Sequence, residues 1–103
     1  MSHASSTLRI ERADAAHVRV AGEIGFANAG EAVARTGELF DGPADVTVDL
    51  SGLARDDSAT LGVLLIWAAA AAVRGVRLRF ANVPQGLLAL AHLCDAEPLL
   101  GLA

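Results

Sequence analysis

The sequence predicts an α/β fold: one domain with a mixed sheet of about four strands and helices packed on one face of that sheet. A chain of 103 residues, 53% of them hydrophobic, has room for one compact core and none for a second. Four short segments alternate apolar and polar residues with period two, which is typical of strands with one covered and one polar face. Three longer segments, which lie between or after the last three strands, carry helix start and stop signals.

The predicted strands are defined by apolar residues at every second position. These residues are Leu8 and Ile10, then Val18 and Val20, then Val46, Val48 and Leu50, and finally Val76, Leu78 and Phe80. A helix separates the second strand from the third and the third from the fourth, so both pairs are predicted to be parallel. Residues 1–7 are predicted to be a flexible head, and residues 8–103 to form the domain.

The first and third helices are predicted from their starting residues. The first covers about residues 28–40, where Asn28 and Glu31 have the spacing of a capping box. Its predicted inward stripe is Ala29, Val33, Thr36 and Phe40. The third helix opens at Pro84, a residue suited to the first helical position.

The second predicted helix has the clearest ends. It starts at Asp57 and Ser58 and closes with Arg74 followed by Gly75, a cation in the last turn before a terminating glycine. Residues 61–73 contain no polar side chain, although a helix on one side of a small sheet must expose its far face. We therefore predict that the chain itself covers this helix incompletely.

The orientation of this helix decides the role of its tryptophan. The predicted core stripe is Leu61, Leu65, Ala68 and Ala72, which leaves Trp67 half-exposed beside a flat alanine surface. That composition is typical of a protein docking site. The alternative is that Trp67 packs into the core and that the alanines are ordinary surface residues of a helix.

The composition excludes several classes of function. The chain has no lysine, which excludes a P-loop lysine and a Schiff base. A net charge of −4 without a basic stripe argues against a nucleic-acid partner. The longest apolar run, residues 61–73, is shorter than the roughly 17–25 residues of a membrane span, so no direct membrane insertion is expected. A single cysteine and a polar amino-terminal segment predict a cytoplasmic location.

Catalytic and metal sites are weakly supported. Asp57, Ser58 and His92 have the residue types of a hydrolase triad, but the G-x-S-x-G turn is missing. His92 and Cys94 are metal-type ligands without a second cluster. We predict no catalytic residue, no metal and no cofactor, and we interpret Cys94 as a small buried hydrophobic residue.

Ser58 lies where the third predicted strand passes through a loop into the second helix. Free backbone N–H groups and the helix dipole favour a negative group there, so a phosphate on Ser58 would be tolerated and could act as a switch. The alternative is that Ser58 or Asp57 simply caps the helix. Spacing alone leaves both interpretations open.

Several motifs resemble those of the STAS domain family. The family signature is a V-D-L-S-G strand and loop followed by D-S-[AS]-G-L at a helix start, and residues 48–52 and 57–61 read V-D-L-S-G and D-S-A-T-L. Residues 21–26 are similar to the family's G-E-L-x-F stretch, and residues 64–67 to its L-L-x-W helix. Residues 78–91 resemble its L-R-F-x-N-L-P helix entry, so the resemblance covers nearly the whole chain.

The chain departs from the family pattern beside Ser58. Thr60 stands where the family usually has glycine, and this β-branched residue stiffens the start of the helix. Asp56 adds a charge where an apolar residue is common. Two adjacent carboxylates would repel a phosphate on Ser58, which weakens the expectation of a phosphate switch.

The resemblance is strongest to the branch of the family that serves phospholipid transport. It implies a non-enzymatic accessory subunit that binds the cytosolic ATPase of a phospholipid-transport ABC complex and reaches the inner membrane through that partner. The candidate partner-binding or regulatory residues are Asp57, Ser58, Thr60 and Trp67. The alternative within the family is an anti-sigma factor antagonist, which binds a kinase-like anti-sigma factor and is released when the serine is phosphorylated.

Overall fold

A four-stranded mixed sheet forms the base of the molecule. The computed structural model describes residues 8–40, 45–54 and 57–100. Its strands are β1 (Arg9–Asp14), β2 (His17–Gly22), β3 (Asp45–Leu53) and β4 (Arg77–Ala81), hydrogen-bonded in the order β1-β2-β3-β4. The first pair is antiparallel and the other two pairs are parallel, which confirms the predicted mixed sheet. The predicted flexible head, residues 1–7, lies outside the described residues.

The two faces of the sheet differ as the alternation predicts. Val18, Val48 and Phe80 are at most 1% exposed and join one core cluster with side chains of the helices. Their neighbours Arg19 and Arg79 point to the other face and are exposed. Helices therefore cover one face, and the polar residues keep the other face in water.

The first predicted helix is shorter than expected. Helix α1 covers Ala29–Ala34, and a separate 3-10 turn covers Thr36–Leu39. The predicted inward stripe is confirmed in part, since Ala29, Val33 and Phe40 are partly buried and pack against the core. The fully buried residues of this segment are Ala32 and Leu39, which the prediction missed. The Thr36 hydroxyl donates to the Val33 carbonyl at 2.6 Å, a local bond that competes with a continuing helix, and Gly37 follows as a weak helix former.

The second predicted helix is confirmed at both ends. Helix α2 covers Ser58–Arg74, and Gly75 follows in the left-handed conformation with φ of 70°. The Val76 N–H donates to the Ala71 carbonyl at 2.9 Å and closes the helix end. Of its predicted core stripe, Leu61 is buried, Leu65 and Ala68 are partly buried against the core, and Ala72 is exposed. The inward face is centred elsewhere, because the buried side chains of α2 are Thr60, Leu61, Val63, Leu64, Trp67 and Ala71. A helix that is apolar on every side gives no polar face from which its rotation could be inferred.

Helix α3 covers Gln85–Leu93 and completes the layer, with Pro84 one position before it. Leu87 and Ala91 are buried one turn apart, whereas Cys94 follows the last turn and is exposed. The interpretation of Cys94 as a buried residue is therefore wrong, because α3 ends at Leu93, before the next position that would face the core. Within the described ranges, every helix is too short or too polar to cross a membrane.

Candidate partner-binding surface

The start of α2 is held by its own capping residue. Asp57 lies in an extended conformation just before the helix, and its Oδ1 accepts the Thr60 N–H at 3.1 Å. Ser58 is the first helical residue and is exposed. Asp57 therefore acts as the cap, which leaves the Ser58 hydroxyl at the surface beside the positive end of the helix dipole.

Thr60, which was predicted to be a partner-binding or regulatory residue, is buried. Its side chain is 0% exposed, and its hydroxyl donates to the Ile24 carbonyl at 2.5 Å. Asp57 Oδ1 lies 3.1 Å from the same hydroxyl. Thr60 thus ties the start of α2 to the segment between β2 and α1, a link that a glycine at this position could not make.

Trp67 is also buried, so the expectation of a half-exposed docking tryptophan is wrong. The side chain is 0% exposed, and its Nε1–H donates to the Ala32 carbonyl of α1 at 3.2 Å. The indole turns inward because α1 offers this acceptor for its only polar atom. Of the four candidate residues, the structure leaves Ser58 exposed and Asp57 half-buried, and it places Thr60 and Trp67 in the interior.

The part of the chain that the structure describes leaves the outer face of α2 uncovered, as the absence of polar residues predicts. Ile66 is 46% exposed and Val73 is 88% exposed, and Ala69 and Ala72 lie exposed between them. From Ala59 to the end of the apolar run the helix offers this face no charged side chain. We call these four residues the α2 ridge.

Two apolar grooves lie on either side of the α2 ridge. The larger, about 420 Å³, separates α1 from the first half of α2, and we call it the α1–α2 groove. Its lining residues are Phe26, Ala29, Gly30, Val33, Ala59, Gly62, Val63 and Ile66. The smaller, about 220 Å³, is lined by Leu65, Ala68, Ala69, Ala72 and Leu99. The lining residues of both grooves are uncharged.

Phe26 is the surface residue that the sequence analysis missed. It is 78% exposed at the rim of the α1–α2 groove. Asn28 fixes its turn, because Asn28 Oδ1 accepts the Gly25 N–H at 2.8 Å and Asn28 Nδ2 donates to the Glu23 carbonyl at 2.8 Å. Asn28 uses its side chain in this turn and makes no capping bond to α1, so the predicted capping box is wrong. The sequence feature that could have identified Phe26 is its position as a bulky aromatic residue between a glycine and an alanine in a connecting segment.

A polar cluster joins the second half of β3 to Asn82, the residue that follows β4. Asp49 Oδ1 accepts the Asn82 Nδ2–H at 3.0 Å and the Ser51 N–H at 2.9 Å. These two hydrogen bonds lower the pKa of the Asp49 carboxyl below its ordinary value of 3.8, and the bond from Asn82 has the larger effect. This cluster fixes the V-D-L-S-G segment that leads towards α2. The described residues contain no group of three or more His, Cys, Asp or Glu side chains that could hold a metal ion.

A family model matches the sequence of this chain, and known structures share its fold. A family model described as "Mlab, STAS domain" matches residues 8–101. No match was found among curated proteins. The anti-sigma factor antagonist SpoIIAA in its unphosphorylated form superposes with a TM-score of 0.66 and 18% identity, over 93% of this chain and 87% of that chain.

Two further solved structures have the same fold. An anti-sigma factor antagonist from Mycobacterium paratuberculosis superposes with a TM-score of 0.68 and 23% identity, over 99% of this chain and 89% of that chain. The NMR structure of the protein TM1081 gives a TM-score of 0.74 and 15% identity, over 100% of this chain and 85% of that chain. These structures establish the fold of the chain.

Proposed function

The chain belongs to the STAS domain family, in the group described as Mlab, and from this premise we propose that it is a non-enzymatic accessory subunit. Its partner is the cytosolic ATPase of a phospholipid-transport ABC complex, and it works on the cytoplasmic side of the membrane through that partner. The observation that carries this proposal is the exposed Ser58 at the head of an apolar ridge that the chain leaves uncovered.

The chemistry of the ridge favours a protein partner. Exposed aliphatic side chains gain free energy when a matching surface removes them from water. A specific docking of this kind buries about 800 Å² on each partner. Binding stabilises the ATPase conformation or assembly that fits the surface best, since a ligand shifts an equilibrium only by its differential affinity.

The test places a charge at Ser58. We expect Ser58→Arg to weaken binding to the purified ATPase subunit at least tenfold by isothermal titration calorimetry, because the cation is buried at the contact. The circular dichroism spectrum should stay native, since Ser58 is exposed.

The matched control is Gln85→Arg, which places the same charge at the first residue of α3. Both substitutions put a cation at a helix start and so carry the same dipole penalty. Equal binding by wild type and Ser58→Arg would show that the interface does not include Ser58. A wild-type chain that does not bind the ATPase subunit would refute the proposed function.

The second candidate function is an anti-sigma factor antagonist. It is favoured by the exposed hydroxyl of Ser58, which a kinase could reach. The match to the Mlab family model favours the transporter subunit, and the carboxylate of Asp57 beside Ser58 opposes a phosphate there. Incubation with a kinase-like anti-sigma factor and ATP separates the two functions: phosphorylation at Ser58, read by mass spectrometry, would support the antagonist.

A further inference from the structure

The polar face of the sheet contains a pocket that the proposed function does not use. The pocket has a volume of about 210 Å³ and lies between β3 and β4, where it is lined by Asp45, Val46, Thr47, Arg77 and Arg79. Arg77 and Arg79 are alternate residues of β4, so both side chains project from the face that the helices leave open. We call this site the β3–β4 pocket.

Three donor groups at this pocket have no acceptor in the protein. Across the described ranges, the Arg79 guanidinium and the Thr47 hydroxyl form no hydrogen bond and no ion pair. Arg77 Nε lies 3.8 Å from Asp45 Oδ1, a distance too long for a hydrogen bond. Thr47 and Arg79 are directly opposite each other in the register of β3 with β4, so their donors serve the same space.

The nearby carboxylates do not neutralise both arginines. Asp49, the next carboxylate along β3, already accepts hydrogen bonds from the Asn82 side chain and the Ser51 N–H. Asp45 stands opposite Arg77, and its side chain is 73% exposed, so water screens the pair. The pocket therefore combines two guanidinium groups with one carboxylate and keeps a positive excess, although the whole chain carries a net charge of −4.

We propose that the β3–β4 pocket binds a phosphoryl group. Guanidinium groups bind phosphate oxygens through paired N–H bonds, and the Thr47 hydroxyl supplies a further donor. A tetrahedral phosphoryl group presents its oxygens in several directions, which suits donors that come from two strands, whereas a carboxylate presents two oxygens in one plane. The site does not depend on the proposed function, because it lies on the opposite face of the sheet from α2.

The experiment titrates the full chain with inorganic phosphate at constant ionic strength and follows the backbone amide resonances of Thr47 and Arg79 by NMR. We expect saturable shifts at both residues, and none when sodium chloride replaces the phosphate. Arg79→Gln should weaken the binding at least fivefold, because glutamine removes the charge and the paired donors. The thermal midpoint of this variant should equal that of wild type, since Arg79 is exposed.

The matched control is Arg9→Gln, which removes the same charge from an exposed residue of β1 that does not line the pocket. Its affinity for phosphate should equal that of wild type, and equal losses in Arg9→Gln and Arg79→Gln would assign the effect to net charge and overturn the proposal. Asp45→Asn should tighten the binding at least twofold, because it removes the negative charge that faces the ligand. Weaker binding by Asp45→Asn would contradict the site.

A second arm separates the two sources of a phosphoryl group. Phosphatidylcholine vesicles that contain phosphatidic acid present it as a lipid headgroup, and pure phosphatidylcholine vesicles are the blank. Sedimentation that Arg79→Gln abolishes, without binding of inorganic phosphate, identifies a headgroup, and binding of inorganic phosphate identifies the free ion. If neither probe binds, or if the shifts centre on Ser58 and spare Thr47, the proposal is overturned.

Discussion

At the scale of single residues, Gly52 shows why the V-D-L-S-G segment needs its glycine. A Cβ atom at Gly52 would lie 2.7 Å from the Ala21 Cβ and 2.9 Å from the Arg19 Nη2. The pairing of β2 with β3 is irregular between Arg19 and Ala21, and this irregularity brings the two backbones together. The glycine therefore serves the close approach of two strands.

We expect Gly52→Ala to lower the free energy of unfolding by about 1–3 kcal/mol, because the added methyl group must push β2 away from β3. Urea denaturation followed by Trp67 fluorescence measures the change, since Trp67 is the chain's only tryptophan and is buried. Gly37→Ala, where the added methyl group meets open space, is the control and should change stability little. Equal stability of wild type and Gly52→Ala would contradict this account.

At the scale of elements, a buried hydrogen bond from Thr60 in the first turn of α2 anchors the start of this helix. The Thr60 hydroxyl reaches the Ile24 carbonyl outside the helix, so the helix start and the segment before α1 are fixed together. This link positions Ser58 relative to Phe26 at the mouth of the α1–α2 groove. The departure from the family's usual glycine thus has a structural role.

Thr60→Val tests this anchor, since valine keeps the shape and removes the hydroxyl. We expect the free energy of unfolding to fall by about 1–3 kcal/mol, because the buried Ile24 carbonyl loses its donor. The measurement is chemical denaturation beside Thr47→Val, a half-buried position on the polar face that should tolerate the same change. A Thr60→Val protein as stable as wild type would show that the bond contributes nothing.

How much the sequence could reveal also differs between elements. The ends of α2 were predictable, because Asp57 and Gly75 act through local backbone chemistry that neighbouring residues specify. The rotation of α2 about its axis was not predictable, since an apolar helix has no polar face that must point to solvent. The inward position of Trp67 depends on the Ala32 carbonyl of another helix, which accepts its Nε1–H. The same limit hid the groove beside Phe26, which exists only where α1 and α2 meet. The position of Ser58 at the start of α2 was predictable because its motif is contiguous in the sequence.

At the scale of the whole molecule, carboxylates held by hydrogen bonds link stability to pH. Asn82 and Ser51 lower the pKa of Asp49, whose ordinary value is 3.8. The bonds from the Arg35 guanidinium to Glu38, 2.8 and 3.0 Å long, lower the pKa of Glu38 below its ordinary 4.5. In both cases the folded state favours the charged form.

We therefore expect the free energy of unfolding to fall as the pH drops from about 5 through the lowered pKa values of the folded state. The unfolded chain binds protons first in this window, so acid favours unfolding. Urea midpoints measured between pH 7 and pH 3 test this, with Asp49→Asn and Glu38→Gln combined as the comparison. The combined variant should be less stable at pH 7 and less sensitive to acid, and an unchanged sensitivity would assign the effect to other groups.

The alanine-rich ridge of α2 has a thermodynamic consequence for association. Ala69 and Ala72 have no rotamers to lose when a partner immobilises them, and the glycines of the groove have none either. Both ends of the helix are already fixed by Asp57 and Gly75, so its backbone order precedes the encounter. A partner that docks on this face as proposed would therefore lose side-chain entropy here at Ile66 and Val73 and not at the alanines between them.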